Sequence, residues 1–451
     1  MGRWLVVPLL LALAACGAGP QDRLTRIVDA TAQPVRVPVT APPRRAPDLV
    51  DLPPPDRPMD FEDFYNRVRA HAPDLEALRA EARAALARVG GAGAWMDPRV
   101  SADLAPQSIG GMRTGYGVQV SQDIPWPQRQ GADRDASLAE ATMAVADLQV
   151  AERHHLVEAR AAYAEYWMNT RRGELYDREI AILDAAIAAT EARLADGSAM
   201  VLGMAEARAM RAEVARMRSM AHRDREVMGA AMMRAMMGLP GDAAIPEPGG
   251  LIAVDLSIIP DQADLLEVGR SRPEVARAQA ALDLAQARRR DAQANGLPDW
   301  EVMAGYTTME EDRDMRFTLG VGVSVPVQRA PRDAARESAA QGQRAAEARL
   351  RQALAEADHE IVAAVARLRD HAEAVRLLEE EELPATAAAV AAAEAALASG
   401  MGGLGEVVAA RRRHLDAQQR LVFEQHEWFH WLGELECCIG MRTLDSMDGQ
   451  P

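Results

Sequence analysis

Val118-Gln119-Val120-Ser121-Gln122-Asp123-Ile124-Pro125 and Val321-Gly322-Val323-Ser324-Val325-Pro326 decide the reading of this 451-residue chain. In both, apolar residues alternate with small or polar ones up to a proline, and period two sends alternate side chains to opposite faces of a strand. The likeness extends outward. At an offset of about 200 residues Pro73 falls on Pro273, Arg88 on Arg288 and Pro98 on Pro298 without a gap. After a two-residue gap the quoted stretches meet, and then Gln128-Arg129 meets Gln328-Arg329. Leu194-Ala195-Asp196-Gly197 meets Leu397-Ala398-Ser399-Gly400, and Met237-Gly238 meets Ile439-Gly440. Alanine-rich helices imitate one such match by chance but not an ordered set, so the chain reads as a duplication.

Each half carries two short strands in an otherwise helical sequence, expected at about 98–105 and 115–124, then 299–307 and 316–325. Val100, Ala102 and Leu104 alternate with Arg99, Ser101 and Asp103, and Tyr116, Val118 and Val120 with Gly117, Gln119 and Ser121. Trp300, Val302, Ala304 and Tyr306 alternate with Glu301, Met303 and Gly305, while Phe317 to Val325 alternates with Thr318, Gly320, Gly322 and Ser324. The aromatics Tyr116, Trp300, Tyr306 and Phe317 suit the girdles of a membrane barrel, and the strand lengths approach the ~9 to 11 residues a tilted spanning strand needs. A water-soluble sheet packed on helices has the same alternation. Four strands cannot close a barrel, and an open edge in lipid costs several kcal/mol per unpaired group, so spanning strands require several chains to share one barrel.

The helices agree. From Gly131 to Ala195 runs a predicted helix of ~65 residues, about 100 Å long, which must find partners along its length. Pro384 interrupts its counterpart, where a kink or break is expected.

The N-terminus sets the compartment. One basic residue, Arg3, leads into the apolar run Trp4 to Ala12, a signal peptide too short to span a bilayer permanently. Leu13-Ala14-Ala15-Cys16 resembles a bacterial lipoprotein box, so residues 1–15 are expected to be removed and Cys16 to carry lipid. By that resemblance Gly17 favours the outer membrane. Residues 16–60, with Pro34, Pro38, Pro42, Pro43 and Pro47, read as an extended tether. Then follow a first repeat at 61–250, a second at 251–442 and a tail at 443–451.

With net charge -16 and 4% aromatic residues, the chain offers no basic surface for nucleic acid. Of three cysteines, Cys437 and Cys438 are adjacent and poorly placed to pair with each other, so no disulfide framework is expected.

Two repeats of helix, two strands, long helix, glycine turn and returning helix, over residues 61 to 442, resemble the TolC-like outer membrane factor family. Its signatures here are Val120 to Pro125, Ser324-Val325-Pro326-Val327, and the turns Gly197 to Ala207 and Gly400 to Ala410, each with alanine ten residues beyond the glycine. The resemblance implies a mainly α fold with a small membrane β-barrel portion. Three chains would share a twelve-stranded barrel continued by a periplasmic helical tunnel, a passive export conduit and no enzyme. Its partners would be a periplasmic adaptor, an inner-membrane pump reached through that adaptor, and outer-membrane lipid. No cofactor is implied beyond the lipid on Cys16. The turns at Gly197 and Gly400 would form the adaptor-docking tip. Glu406, six residues after Gly400, would line the aperture, where the first turn has Gly203 and the next acidic family position is Ala409. Lipoprotein members are common in multidrug and heavy-metal systems, whereas selectivity for cargo resides largely in the pump.

Two motifs point elsewhere. His426-Glu427-Trp428-Phe429-His430 is a literal H-E-x-x-H zinc pattern, but no third ligand element follows it, and it falls on the last helix of the repeat. The interval 200 to 237 is rich in methionine. Met210, Met217 and Met220 have the spacing of a packed helix seam, although thioethers also bind soft metals. A periplasmic coiled-coil adaptor or scaffold lipoprotein is the alternative reading, and a zinc metalloprotease a remote one. Adaptors carry one hairpin between larger β domains, whereas here strand pairs are duplicated between helices.

Overall fold

A computed structural model describes residues 22, 24–26, 57–105, 115–195, 201–308 and 316–439. Cys16, Gly197, the signal peptide, most of the tether and the 443–451 tail lie outside the described residues. In chain order the elements are α1 (Phe61–His71), α2 (Pro73–Gly91), β1 (Arg99–Ala105), β2 (Gly115–Ile124), α3 (Pro127–Ala195), α4 (Val201–Asp224), α5 (Ala231–Met236), α6 (Gln262–Gly269) and α7 (Pro273–Ala294). β3 (Asp299–Thr307), β4 (Phe317–Ser324), α8 (Ala330–Leu377), α9 (Leu383–Ala398) and α10 (Leu404–Ile439) complete them. The fold is mostly helical. No helix among the described residues is long and apolar enough to cross a membrane.

Residues 77–149 and 273–354 belong to one compact unit. Its sheet is an antiparallel meander of order β1-β2-β3-β4, with β1 and β4 at the edges. Register pairs Val120 with Val100 on one side and with Ala304 on the other, and pairs Val302 with Val321. In the same unit, Ala82, Ala85 and Leu86 of α2 pack on Ala141 and Val145 of α3. Side chains this small let helix axes approach closely.

Residues 57–76, 150–272 and 355–439 fall in the other unit. One core joins Phe61, Phe64 and Tyr65 of α1 to Tyr163 and Tyr166 of α3 and Phe429 of α10. Met59 enters this core fully buried and forms a parallel bridge with Pro248, its N–H donating to the Glu247 carbonyl at 2.9 Å. A second core gathers Ile361, Val365 and Leu368 of α8 with Trp428, Leu432 and Leu435 of α10. A third has coiled-coil spacing: Tyr176, Ile180 and Leu183 of α3, Met210 and Val214 of α4, and Val408 and Leu415 of α10.

At Pro384 the chain does not break. A π turn, Leu378–Glu382, stands just before it and the helix resumes at Leu383. Proline removes one N–H from the ladder, and a single widened turn absorbs the misfit without ending the helix. The methionine seam also differs in part. Met210 is buried and Met217 partly so, but Met220 is exposed, its sulfur accepting from Arg216 Nη1 at 3.1 Å. Ten residues rotate a helix by about 280°, so Met220 points about 80° away from Met210.

Candidate functional site

In the unit that holds the sheet, the candidate surface is one face of it. Val100, Ala102 and Leu104, then Tyr116, Val118 and Val120, then Trp300 and Val302, then Leu319, Val321 and Val323 all fall on this face by register. Leu319 is 90% exposed, Phe317 77% and Val321 65%. A contiguous apolar face left open on this scale marks a surface meant for contact with something other than water. Aromatic rings cluster toward one end, where the Tyr306 ring lies 5.1 Å from Phe317 and 6.5 Å from Tyr116. Trp300 stands on the same face of β3, six residues earlier. At ~3.4 Å per residue those six span ~20 Å, close to the ~25 Å apolar band between the girdles of membrane barrels.

The opposite face is polar or small apart from Met303: Asp103, Gln119, Ser121, Asp123, Glu301 and Thr318, with five glycines among them. Among these, Gly117, Gln119, Ser121, Glu301 and Gly322 are less exposed than their apolar neighbours on β2, β3 and β4. On β2, β3 and β4 the apolar side is thus the more open one, the reverse of a sheet in water.

In the other unit, α9 ends in a left-handed glycine. Gly400 has φ +75°, its N–H reaches the Leu397 carbonyl at 3.3 Å, and the Met401 N–H reaches the Ala396 carbonyl at 2.9 Å. This is a Schellman cap, which satisfies the last carbonyls of the helix and reverses the chain. Three residues of turn lead into α10, whose first turn carries Glu406, an exposed acid favoured by the positive end of the helix dipole. Gly203 lies against that start. A Cβ built on it would stand 3.0 Å from Leu404 Cβ and 3.1 Å from the Gly405 nitrogen, so the first turn has no room for a carboxylate where the second has Glu406. Glu206 comes up against Gly405 from α4. The sequence reading passed over it, although the signal was present: the offset that lays Gly400 on Gly197 lays Ala409 on Glu206, so the acid missing from the second turn stands in the first.

Three ion pairs lace α3 to α4: Asp177–Arg218 at 3.0 Å, Asp184–Arg211 at 2.6 Å and Glu191–Arg208 at 2.5 Å. The acids recur every seven residues on one helix face. Exposed pairs add ~0 to 1 kcal/mol each, so this ladder sets the register of the hairpin more than its stability.

His426 and His430 sit on α10 with separate partners. His426 Nε2 is 3.5 Å from Glu165 and its ring stacks on Phe423, whereas His430 approaches Glu434 at 3.9 Å and meets Trp431 edge-on. The hydrogen bond from His426 holds the Glu165 carboxyl below its ordinary range against the opposing effect of burial. Among the described residues no three His, Cys, Asp or Glu side chains converge as metal ligands. Cys438 is buried in the α8–α10 core, and burial pushes its thiol up to about 12, so at neutral pH it is a protonated packing group.

One buried charge pair gives no sequence signal. Arg160 of α3 is fully buried, donates to Glu436 Oε2 at 2.5 Å, and has its guanidinium between the Phe61 and Phe429 rings at 4.9 and 4.8 Å.

The profile of the family described as Outer membrane efflux protein matches residues 64–236 and 267–429. Solved structures of like fold include CusC, 17% identical with TM-score 0.71, over 89% of this chain and 99% of that one. VceC of Vibrio cholerae is 18% identical with TM-score 0.70, over 84% and 96%. The open state of the Neisseria gonorrhoeae MtrE outer membrane channel is 16% identical with TM-score 0.69, over 85% and 89%. At these identities the structural likeness is one of fold. A comparison with curated protein sequences returns no match.

Proposed function

The chain belongs to the outer membrane efflux protein family, and from that premise we propose that it is the passive outer-membrane conduit of a tripartite efflux system, working as a homotrimer. The supporting observation is the sheet, with its bare apolar face, its mostly polar or small opposite face and two open edges. Three copies of four strands make a twelve-stranded barrel if β4 of each chain pairs with β1 of the next. In a four-strand meander the first and last strands run in opposite directions, so this closing pair is antiparallel as well and no backbone group is left unpaired in lipid. The duplicated helices then continue as a periplasmic tunnel. A catalytic role has no part in this reading.

Cys16, after Leu13-Ala14-Ala15, carries the lipid anchor of the trimer. With Cys16→Ala, [3H]palmitate labelling of the chain should vanish and the precursor should stay uncleaved at this site. Normal acylation of the variant would overturn the assignment.

The turns at Gly197 and Gly400 form the tip that docks a periplasmic adaptor, and through it an inner-membrane pump. Glu406 and Glu206, three copies of each, give the tip an anionic rim that favours cations. The test is conductance of the purified channel in planar bilayers under a KCl gradient. Glu406→Gln should move the reversal potential toward zero; an unchanged potential removes Glu406 from the aperture.

A further inference from the structure

The two hairpins of the sheet share one register but not one length. Arg99 faces Ser121 in the first and Asp299 faces Ser324 in the second. These are corresponding positions of the repeat, since Pro98 aligns with Pro298 without a gap and Ser121 with Ser324. β2 nevertheless runs on to Ile124, past its last pairing with β1, because β3 holds its final residues: Gln122 faces Val302, Asp123 faces Glu301 and Ile124 faces Trp300. β4 stops at Ser324. The next three residues, Val325, Pro326 and Val327, correspond to Gln122, Asp123 and Ile124, but among the described residues no strand lies beside them. Val325 is 66% exposed and Val327 80%, whereas Gln122 and Ile124 are partly buried.

We propose that β4 continues to Val327 along the β1 edge of a second copy of this chain, in the register that β2 has on β3. The inference rests on the shared-barrel reading and adds to it which residues meet. Carried over by the repeat, Ser121 opposite Met303 becomes Ser324 opposite the partner's Asp103. Val325 then faces the partner's Ala102, Pro326 faces the partner's Ser101, and Val327 faces the partner's Val100. Every junction between hairpins, within a chain or between chains, has the same stagger, as a regular closed ring of strands requires.

Two features fit this register and exclude a slip of one residue. Val325 and Val327 fall beside the partner's Ala102 and the partner's Val100, so the bare apolar face continues across the junction; a slip of one would turn one strand's apolar set to the polar side. The second feature is Pro326. The Thr308 N–H donates to the Tyr116 carbonyl at 2.9 Å, which makes Tyr116 and Thr308 a hydrogen-bonded pair. Alternation along the ladder then makes Gln122–Val302 and Ile124–Trp300 hydrogen-bonded pairs and Asp123–Glu301 a non-hydrogen-bonded one. Pro326 takes the Asp123 place, where the junction asks for no N–H, and Val325 and Val327 make the bonds on either side.

The experiment is disulfide trapping of the full-length chain in outer-membrane fractions, with Cys437→Ala and Cys438→Ala as background. Ser324→Cys combined with Asp103→Cys puts one thiol on each edge, in a non-hydrogen-bonded pair whose Cα atoms lie ~4.5 Å apart, within the span of a disulfide. After oxidation with copper phenanthroline, boiled non-reducing gels should show a covalent trimer that dithiothreitol returns to monomer. Ser324→Cys with Ser101→Cys, or with Ala105→Cys, is two residues out of register, at ~7 to 8 Å, and should stay monomeric. Preferential trapping of a shifted pair overturns the register. No trapping of any pair in a chain that still runs as a heat-resistant trimer overturns the junction. A parent chain that forms no trimer fails the conduit reading itself, and the junction with it. A second measurement needs no cysteine. Val325→Pro removes a bonding N–H and should shift downward the temperature at which the trimer dissociates, whereas Pro326→Asp, the residue of the first repeat, should leave it unchanged. A Val325→Pro trimer that dissociates with the parent also overturns the proposal.

Discussion

Val321→Arg should remove the heat-resistant oligomer from the outer membrane, while Gly322→Arg, one residue along the same strand, should leave it in place. Val321 is 65% exposed, in the middle of β4 and opposite Val302, on the face that carries the aromatic clusters. An arginine at the middle of a bilayer costs ~2 to 4 kcal/mol on a barrel strand. With one in each of three chains, the penalty is comparable to the ~5 to 15 kcal/mol by which folded proteins are stable at all. Gly322 points to the other face. A Cβ there meets Glu301 Oε2 at 3.4 Å, an ordinary contact, with a carboxylate at hand for the new guanidinium. The comparison is read from unheated and heated outer-membrane fractions on semi-native gels. Equal yields of oligomer from the two variants would mean that neither face meets lipid.

Glu436→Gln is expected to destabilise the helical body by ~3 to 5 kcal/mol, because it leaves the Arg160 charge buried without its partner. Burial already pulls the Arg160 pKa down, and Glu436 is what holds it up. The two flanking rings soften that loss but supply no hydrogen-bond acceptor. The arrangement is sterically closed as well, since a Cβ on Gly433 would stand 2.5 Å from Arg160 Cδ. Replacing both charges, Arg160→Met with Glu436→Leu, should recover most of the loss, as buried pairs commonly exchange for apolar side chains at little cost. Thermal melts followed by circular dichroism separate the cases. A Glu436→Gln chain that melts with the parent would show that the pair carries no weight.

These two variants also mark what could be read from sequence. Period two at Val118-Gln119-Val120 and Val321-Gly322-Val323 is a local property, and those residues do lie in strands β2 and β4. Which face is open is not local, because a soluble sheet with its apolar side packed on helices has the same alternation. The long helix was legible from a stretch poor in breakers, but its start was read at Gly131 and lies at Pro127. Proline fits the first turn of a helix, where its missing N–H has no partner to lose, so Pro127 can open α3. Pro384 was legible as a disturbance, and only the packed helix settles that the disturbance is a π turn. Gly400 could be reached through the repeat, and Glu406 through the resemblance to the family. Arg160 and Glu436 could not, since a charged residue in a helix is usually solvated and nothing nearby in sequence shows that helices close over it.

The open edges of β1 and β4 have a consequence in genetics. In the proposed trimer the shared barrel is only as good as its worst stave, because one strand that cannot pair breaks the ring for the other two. In a cell expressing a pairing-defective allele and the parent equally, random assembly leaves about one eighth of trimers free of the defective chain. Alleles that harm the edges while sparing the helices should therefore be dominant, whereas alleles that prevent the chain from folding, and so from meeting its partners, should be recessive.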